Sequence, residues 1–241
     1  MKEAPWLLSP ASELVAGRRT TLEPSEARHA SGPLRLQPGD AVVLVDGAGA
    51  VASGEIALLG RSGVEVDISA VDHRPRPAPG LTLAVAVLAG AAMDLVVQKA
   101  VELGVETLVP VCSQRAQLSV KRAATRVDHW IRLSRQSLKQ CRRAWALELA
   151  SPTPLTELLT DSATPAGMVA HPRGVGVRYI QPGCARLLLI GPEGGFDDTE
   201  ELALEAAGWP KVCLGSFVLR AETAAIAGAA VFGAGLHSTD V

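Results

Sequence analysis

Apolar and polar positions divide the chain into two regimes. Up to about residue 72 the apolar residues come in short runs or alternate with polar ones. Ala41–Val45 is one run, Val51–Leu59 and Val64–Val71 follow, and Val64, Val66 and Ile68 alternate with Glu65 and Asp67. Alternation with a period of two turns one face of a strand to a core and the other to water. Gln37-Pro38-Gly39-Asp40 turns the chain into the first run, and Asp46-Gly47-Ala48-Gly49 is a hairpin signal between the first and second. With a short helix from Ser25 to about Ser31, residues 1–72 are expected to form a small barrel or barrel-like sheet. The next eight residues, His73 to Gly80, hold three prolines and a glycine. Proline removes backbone donors and stiffens the chain, so 73–80 is expected to be a linker.

From residue 81 the pattern changes to apolar runs alternating with helical periodicity. Leu81–Leu88 is unbroken, as a strand covered on both faces should be. A helix is expected over Met93–Leu103, stopped by Gly104, then a strand at Thr107–Val111 and a long helix over Arg126–Leu147. The apolar stripe of that helix is Val127, Trp130, Ile131, Leu138, Cys141 and Trp145. Further strands are expected at Met168–Ala170, Leu187–Ile190 and Val212–Leu214. Strands alternating with helices predict an α/β domain with a parallel sheet over 81–241.

The chemistry concentrates between Leu187 and Thr223. The strand Leu187–Ile190 breaks into Gly191-Pro192-Glu193-Gly194-Gly195-Phe196, and Asp197 with Glu200 marks a helix start that ends at Gly208. The strand Val212–Leu214 breaks at Gly215 into a second loop, and Glu222-Thr223 opens a last helix, apolar nearly all round, to about Leu236. Two strand ends thus each feed a helix N-terminus, where free backbone N–H groups gather and glycine lets a ligand approach. A tight turn alone would use the same residues.

Charge adds a partner. The chain carries a net −2, yet residues 114–145 hold nine Lys/Arg against Asp128 alone, a segment of +8 that leaves −10 elsewhere. Segregation of this kind points to a polyanion, and nucleic acid is the expected one. Residues 1–72 are acidic overall. The four cysteines, Cys112, Cys141, Cys184 and Cys213, form no CxxC pair, so neither disulfides nor zinc are expected and a reducing cytoplasm fits. The five histidines show no metal-ligand spacing, so no metal is expected. No leader peptide and no membrane span are expected, since the longest uncharged runs are short or Gly/Ala-rich.

Leu189-Ile190-Gly191-Pro192-Glu193-Gly194-Gly195-Phe196, followed by Leu214-Gly215 and Leu219-Arg220-Ala221-Glu222-Thr223-Ala224, resembles the ribosomal RNA small subunit methyltransferase E family of the SPOUT superfamily. Gln98–Val105, Gln140-Cys141-Arg142-Arg143, His171-Pro172, and Leu34-Arg35-Leu36 with Pro38-Gly39-Asp40 extend the resemblance over nearly the whole chain. It implies a PUA-like β-barrel over 1–72 that binds RNA, and a SPOUT methyltransferase domain over 81–241 with a trefoil knot. It further implies S-adenosyl-L-methionine as cofactor, a cytoplasmic homodimer with each site at the subunit interface, and 16S rRNA or the small ribosomal subunit as partner. The reaction would be methylation of uridine N3, an rRNA-processing step of ribosome biogenesis. The chain departs from the family pattern at Pro33, Ala89-Gly90-Ala91-Ala92, Lys139 and Ser216-Phe217. The loops at Ala89–Ala92 and Ser216-Phe217 motivate the alternative of a catalytically weak or inactive RNA-binding or ribosome-assembly protein of the same fold.

For that reaction the cofactor-binding candidates are His171, Ile190, Gly191, Pro192, Glu193, Gly194, Gly195, Leu214, Gly215, Ser216, Leu219, Glu222 and Thr223. Methyl transfer to uracil N3 needs the base to lose a proton, and an arginine near O2 or O4 can stabilise the anion. Arg143 and Arg220 are the catalytic candidates. Glu193 either braces its loop or favours the sulfonium, and His171 either takes a proton or shapes the pocket. Arg35, Arg115, Arg132, Arg135, Lys139 and Arg142 are the RNA-binding candidates. With eight aromatic residues in the chain, a stacking platform for single strands is poorly supplied.

Overall fold

The alternating N-terminal stretch forms a five-stranded sheet. In this computed structural model the residues described are 3–60, 63–77, 80–161, 164, 167–180 and 186–234. The strands are β1 (Trp6–Leu8), β2 (Arg19–Thr21), β3 (Ala41–Val45), β4 (Ala50–Gly60) and β5 (Gly63–His73), in the order β1-β3-β4-β5-β2, with helix α1 (Pro24–Ser31) after β2. β1 lies parallel to β3, and the other pairs are antiparallel. Val64, Val66 and Ile68 turn inward and meet Leu7, Leu44, Ile56 and Ala30 in one core. The three expected strands are present, each extended by no more than two residues at either end. β1 and β2 were not expected, because three residues are too few to show a period.

The second regime folds as expected into an α/β unit around a parallel sheet. Along the chain come β6 (Thr82–Ala86), α2 (Gly90–Glu102), β7 (Thr107–Cys112), α3 (Val120–Ala124), α4 (Val127–Cys141), β8 (Glu148–Leu149) and β9 (Thr153–Pro154). They continue with α5 (Leu155–Thr160), β10 (Met168–Gly176), β11 (Leu187–Ile190), α6 (Asp198–Ala206), β12 (Lys211–Cys213) and α7 (Ala221–Ala234). The order is β12-β10-β11-β6-β7-β8, with β9 also paired to β7 and every pairing parallel. The central strands β6 and β11 are buried on both faces, which is why they read as continuous apolar runs. After edge strand β12 the chain returns inward, and α7 packs on α2, β11 and β6. Ala225, Ala229 and Phe232 are covered there, while Val231 stays 44% exposed. Leu236, expected at the end of this helix, lies outside the described residues.

The basic helix differs from expectation. Its stripe predicts 126–147, but α4 stops at Cys141, where Arg142 takes φ 60°. A left-handed residue ends a helix because the i→i−4 ladder cannot continue through it. The chain then runs beside the β3–β4 turn. Gly49 N–H donates to Ala144 O at 3.1 Å, Ala146 N–H donates to Gly47 O at 2.7 Å, and Ala48 bridges Trp145. Trp145 is therefore off the helical stripe. Its Nε1–H donates to Pro75 O at 3.1 Å, and the Arg76 guanidinium sits 5.6 Å from its ring centroid.

These contacts redraw the expected boundary. One unit comprises Met1–Arg76 with Arg135–Ala146, and the other Pro77–Ser134 with Leu147–Val241. The first division falls within the segment expected as a linker, but residues 135–146 belong with the N-terminal sheet and not with a contiguous 81–241 domain.

Lys139 and Arg142, expected on an RNA surface, are engaged within that first unit. Lys139 Nζ donates to Glu26 Oε1 at 2.7 Å and Oε2 at 3.0 Å, and Glu26 Oε2 also accepts Leu8 N–H at 3.1 Å. Their side chains are only 12% and 8% exposed. Arg142 forms an exposed ion pair with Glu3. Glu26→Ala would leave the Lys139 ammonium buried and unpaired, which should lower stability by about 3–5 kcal/mol. Urea unfolding checks this, with Asp67→Ala, which breaks the exposed Arg19–Asp67 pair, as a control expected to shift the midpoint far less.

Candidate active site

Two strand ends and two helix starts frame a cleft in the C-terminal unit. β11 ends at Ile190 and releases Gly191–Asp197 ahead of α6, while β12 ends at Cys213 and releases Leu214–Arg220 ahead of α7. The cleft volume is ≈ 810 Å³, within the range of about 300–1,000 Å³ typical of small-molecule sites. Of the residues singled out from the sequence, His171, Ile190, Gly191, Pro192, Glu193, Gly194, Gly195, Leu214, Gly215, Leu219 and Arg220 line it. Ser216 is exposed and does not line it, nor do Glu222 and Thr223 in the first turn of α7.

The first loop is held in a defined path. Gly195 takes φ 70° and its N–H donates to Pro192 O at 2.9 Å, a turn that a side chain would strain. A Cβ on Gly191 would sit 3.0 Å from the Phe196 ring, so the small residue lets Phe196 fold back into the core. Asp197 and Glu200 form the expected reciprocal cap. Asp197 Oδ1 accepts Glu200 N–H at 2.8 Å, and Glu200 Oε2 accepts Asp197 N–H at 3.1 Å. Glu200 is buried, and its Oε1 accepts Gln114 N–H at 2.8 Å. Arg115 also faces this loop: its Nη1 donates to Gly194 O at 2.8 Å and to Phe196 O at 3.3 Å. Arg115, expected on an RNA surface, is exposed and makes these bonds to the glycine-rich loop.

The opposite wall is charged. Lys211 Nζ donates to Glu201 Oε2 at 2.5 Å and lies 3.6 Å from Glu205, and the bond to Glu201 raises the Lys211 pKa above its usual value. Arg173 N–H donates to His171 Nδ1 at 3.0 Å, which puts the proton of the neutral ring on Nε2. Burial holds the His171 pKa below 6.5; Glu201 pulls it back up, and Lys211 and Arg173 push it further down. His171 and Pro172 sit in β10, at an irregularity in its pairing with β12 and just past the strand expected at Met168–Ala170. Arg173, Glu201, Glu205 and Lys211 escaped the sequence reading. The available signal was Glu201 and Glu205 four apart on one face of α6.

Arg220 lines the cleft beside Ala221 and Ala224, at the N-terminal turn of α7. Phe217 and Val218 on the same loop are 86% and 80% exposed. Arg143 does not line the cleft; it belongs to the N-terminal unit, where its N–H donates to Leu138 O at 3.1 Å. Arg35, Arg132 and Arg135 are exposed, as are Lys121, Arg122 and Arg126. Among the described residues no group of three His, Cys, Asp or Glu could hold a metal, and no helix is long and apolar enough to cross a membrane. Cys112 and Cys213 are free thiols, Cys141 Sγ donates to Leu138 O at 3.7 Å, and Cys184 lies outside the described residues.

With this geometry in place, comparison with known proteins is decisive. The RNA methyltransferase domain model matches residues 75–233, and the RNA methyltransferase PUA domain model matches residues 34–69. The chain belongs to the RNA methyltransferase family. It is similar to ribosomal RNA small subunit methyltransferase E of Synechocystis, with 26% identity over 222 residues, covering 89% of this chain and 72% of the relative. The Mycobacterium bovis protein of that name is 29% identical over 222 residues, covering 87% and 84%. The crystal structure of ribosomal RNA small subunit methyltransferase E from Neisseria gonorrhoeae, bound to S-adenosyl methionine, has 28% identity and a TM-score of 0.84 over 95% of this chain and 96% of that one.

His171 supplies a test of the cleft. Because its pKa is depressed on folding, the folded chain binds fewer protons than the unfolded one just below pH 6.5. Stability should therefore rise with pH across that window and be lost as pH falls through it. A proton NMR titration of the His171 ring should give a midpoint below 6.5, and His171→Gln should flatten the pH dependence of unfolding there. A midpoint at or above 6.5 would contradict the assignment.

Proposed function

We propose that this chain transfers a methyl group from S-adenosylmethionine to N3 of a uridine in 16S rRNA, acting in the cytoplasm as a homodimer with a knotted C-terminal domain. One observation carries the reading: a structure bound to S-adenosyl methionine overlays nearly the whole chain, and this chain's two glycine-bearing strand exits form a cleft of cofactor size. The lining fits the cofactor. Gly194, Gly195 and Gly215 leave backbone open to a ligand, and Glu193, Asp198, Glu201 and Glu205 outnumber Arg173, Lys211 and Arg220, so a cation is not repelled. Bound there, the cofactor would supply an electrophilic methyl group on a positively charged sulfur.

The chain's own residues do the rest. Uracil gains negative charge on O2 and O4 as N3 loses its proton to water. Arg220 and the free N–H groups opening α7 place positive charge where that anion would form. His171, with Nδ1 already accepting and Nε2 protonated, serves as a donor that shapes the pocket. Arg143 is the second candidate for the anion and, in this reading, acts from the partner protomer. The uncharged face of α7 with Val231 exposed supports a subunit interface, and the inward return of the chain from β12 to α7 supports the knot.

Incubation with labelled S-adenosylmethionine and unmodified small subunits, then nuclease digestion and mass spectrometry, should yield 3-methyluridine. Cofactor binding with no methyl incorporated into any rRNA would favour the assembly-protein alternative. At saturating RNA, Arg220→Ala should cut turnover by about 10²-fold, and Arg143→Ala tests the second candidate the same way. Arg132→Ala with Arg135→Ala should weaken RNA binding and flatten its salt dependence, since each phosphate contact contributes counterion release. Light scattering should report a dimer at micromolar concentration.

A further inference from the structure

Arg115 opens the basic segment of the sequence, where it counts as one more phosphate contact. Its geometry is otherwise. The Nη1 group donates to two carbonyls, Gly194 O at 2.8 Å and Phe196 O at 3.3 Å, that flank left-handed Gly195. The other ends of the same peptide planes are also engaged. Gly195 N–H donates to Pro192 O at 2.9 Å, and Asp197 N–H donates to Glu200 Oε2 at 3.1 Å. A trans peptide is planar, with its C=O and N–H pointing opposite ways. Two alternate peptide planes of the loop, 194–195 and 196–197, are therefore pinned at both ends, and Arg115 supplies both carbonyl-side partners. Gln114, its neighbour, donates its N–H to Glu200 Oε1 at 2.8 Å, so this dipeptide at the exit of β7 braces the loop and the start of α6 together. A loop with glycine at 191, 194 and 195 has little stiffness of its own, so the outside brace selects one backbone path.

We propose that Arg115 is a positioning residue for the cofactor. It fixes the 193–197 backbone that forms one wall of the cleft, and it acts through that loop without touching the cofactor or the RNA. The inference rests on the reading of the cleft as a site for S-adenosylmethionine.

The test uses the full chain, with cofactor titrated by calorimetry and methyl transfer followed at varied cofactor and varied RNA. Arg115→Met keeps the aliphatic stem and removes the donors. It should raise the cofactor Kd and KM about tenfold, equivalent to about 1.4 kcal/mol, while kcat and the KM for RNA stay within about twofold of wild type. The salt dependence of RNA binding should not change. Arg115→Lys, which restores one donor group at similar reach, should recover much of the loss. It also decides the matter alone if the Met variant does not fold, because an intermediate cofactor Kd is then expected. Wild-type cofactor affinity in folded Arg115→Met overturns the proposal, as it does in Arg115→Lys where only that variant folds. So does a loss of RNA affinity with a flatter salt slope, which would make Arg115 a phosphate contact. Wild-type protein that binds no S-adenosylmethionine overturns the reading of the cleft itself, a result seen before any variant is compared.

Discussion

One buried carboxylate joins the parts of the cleft wall. Glu200 receives the Asp197 and Gln114 backbone N–H groups on its two oxygens, while its own N–H is capped by Asp197. A buried carboxylate is tolerated only when its lone pairs are satisfied, and here the two donors come from distant points of the chain. The loop after β11, the first turn of α6 and the exit of β7 are therefore fixed relative to one another. Because β11 and β7 lie on either side of β6 in the sheet, the glycine-rich loop takes its position from the buried strands and not from itself. Flexible backbone on a rigid base is the general solution for holding a ligand through main-chain contacts.

How much of this was legible depends on the range of the interaction. The capping box, the strand runs at 41–45 and 187–190, and the stop at Gly208 are local, and each was readable from residues a few positions apart. The motif pairing Gly191–Phe196 with Leu214–Thr223 located the cleft because both loops leave the same sheet. The long helix was misjudged at Arg142 because no side-chain pattern announces a left-handed arginine. Trp145 continued the helical period by coincidence of spacing, while a bond to Pro75 and a bridge to Ala48 decided its place.

The basic segment shows the same limit. Nine positive charges in one stretch read as one surface, yet the structure gives them different tasks. Lys139 neutralises Glu26 in a nearly closed setting, Arg142 pairs with Glu3, Arg115 braces a loop and Arg143 is half-buried, while Lys121, Arg122, Arg126, Arg132 and Arg135 are exposed. The acids that meet these cations lie up to 139 positions away in the chain, beyond any window in which charge is counted. Charge density along a sequence marks a region that meets an anion; the fold decides whether that anion is external.

The union of residues 135–146 with the N-terminal sheet has a consequence for how the protein is made. Glu26 and Lys139 are 113 positions apart, and the turn between β3 and β4 obtains its Ala144 and Ala146 hydrogen bonds from chain almost as distant. During synthesis, at about 5–20 residues per second, the first sheet therefore emerges well before the segment that completes it. By then β6, β7 and the start of α4 have already left the ribosome. The N-terminal unit is completed only after the first segment of the C-terminal unit, residues 77–134, has emerged. The first unit to appear is thus still the first to be complete, but only once more than half of the chain has been made.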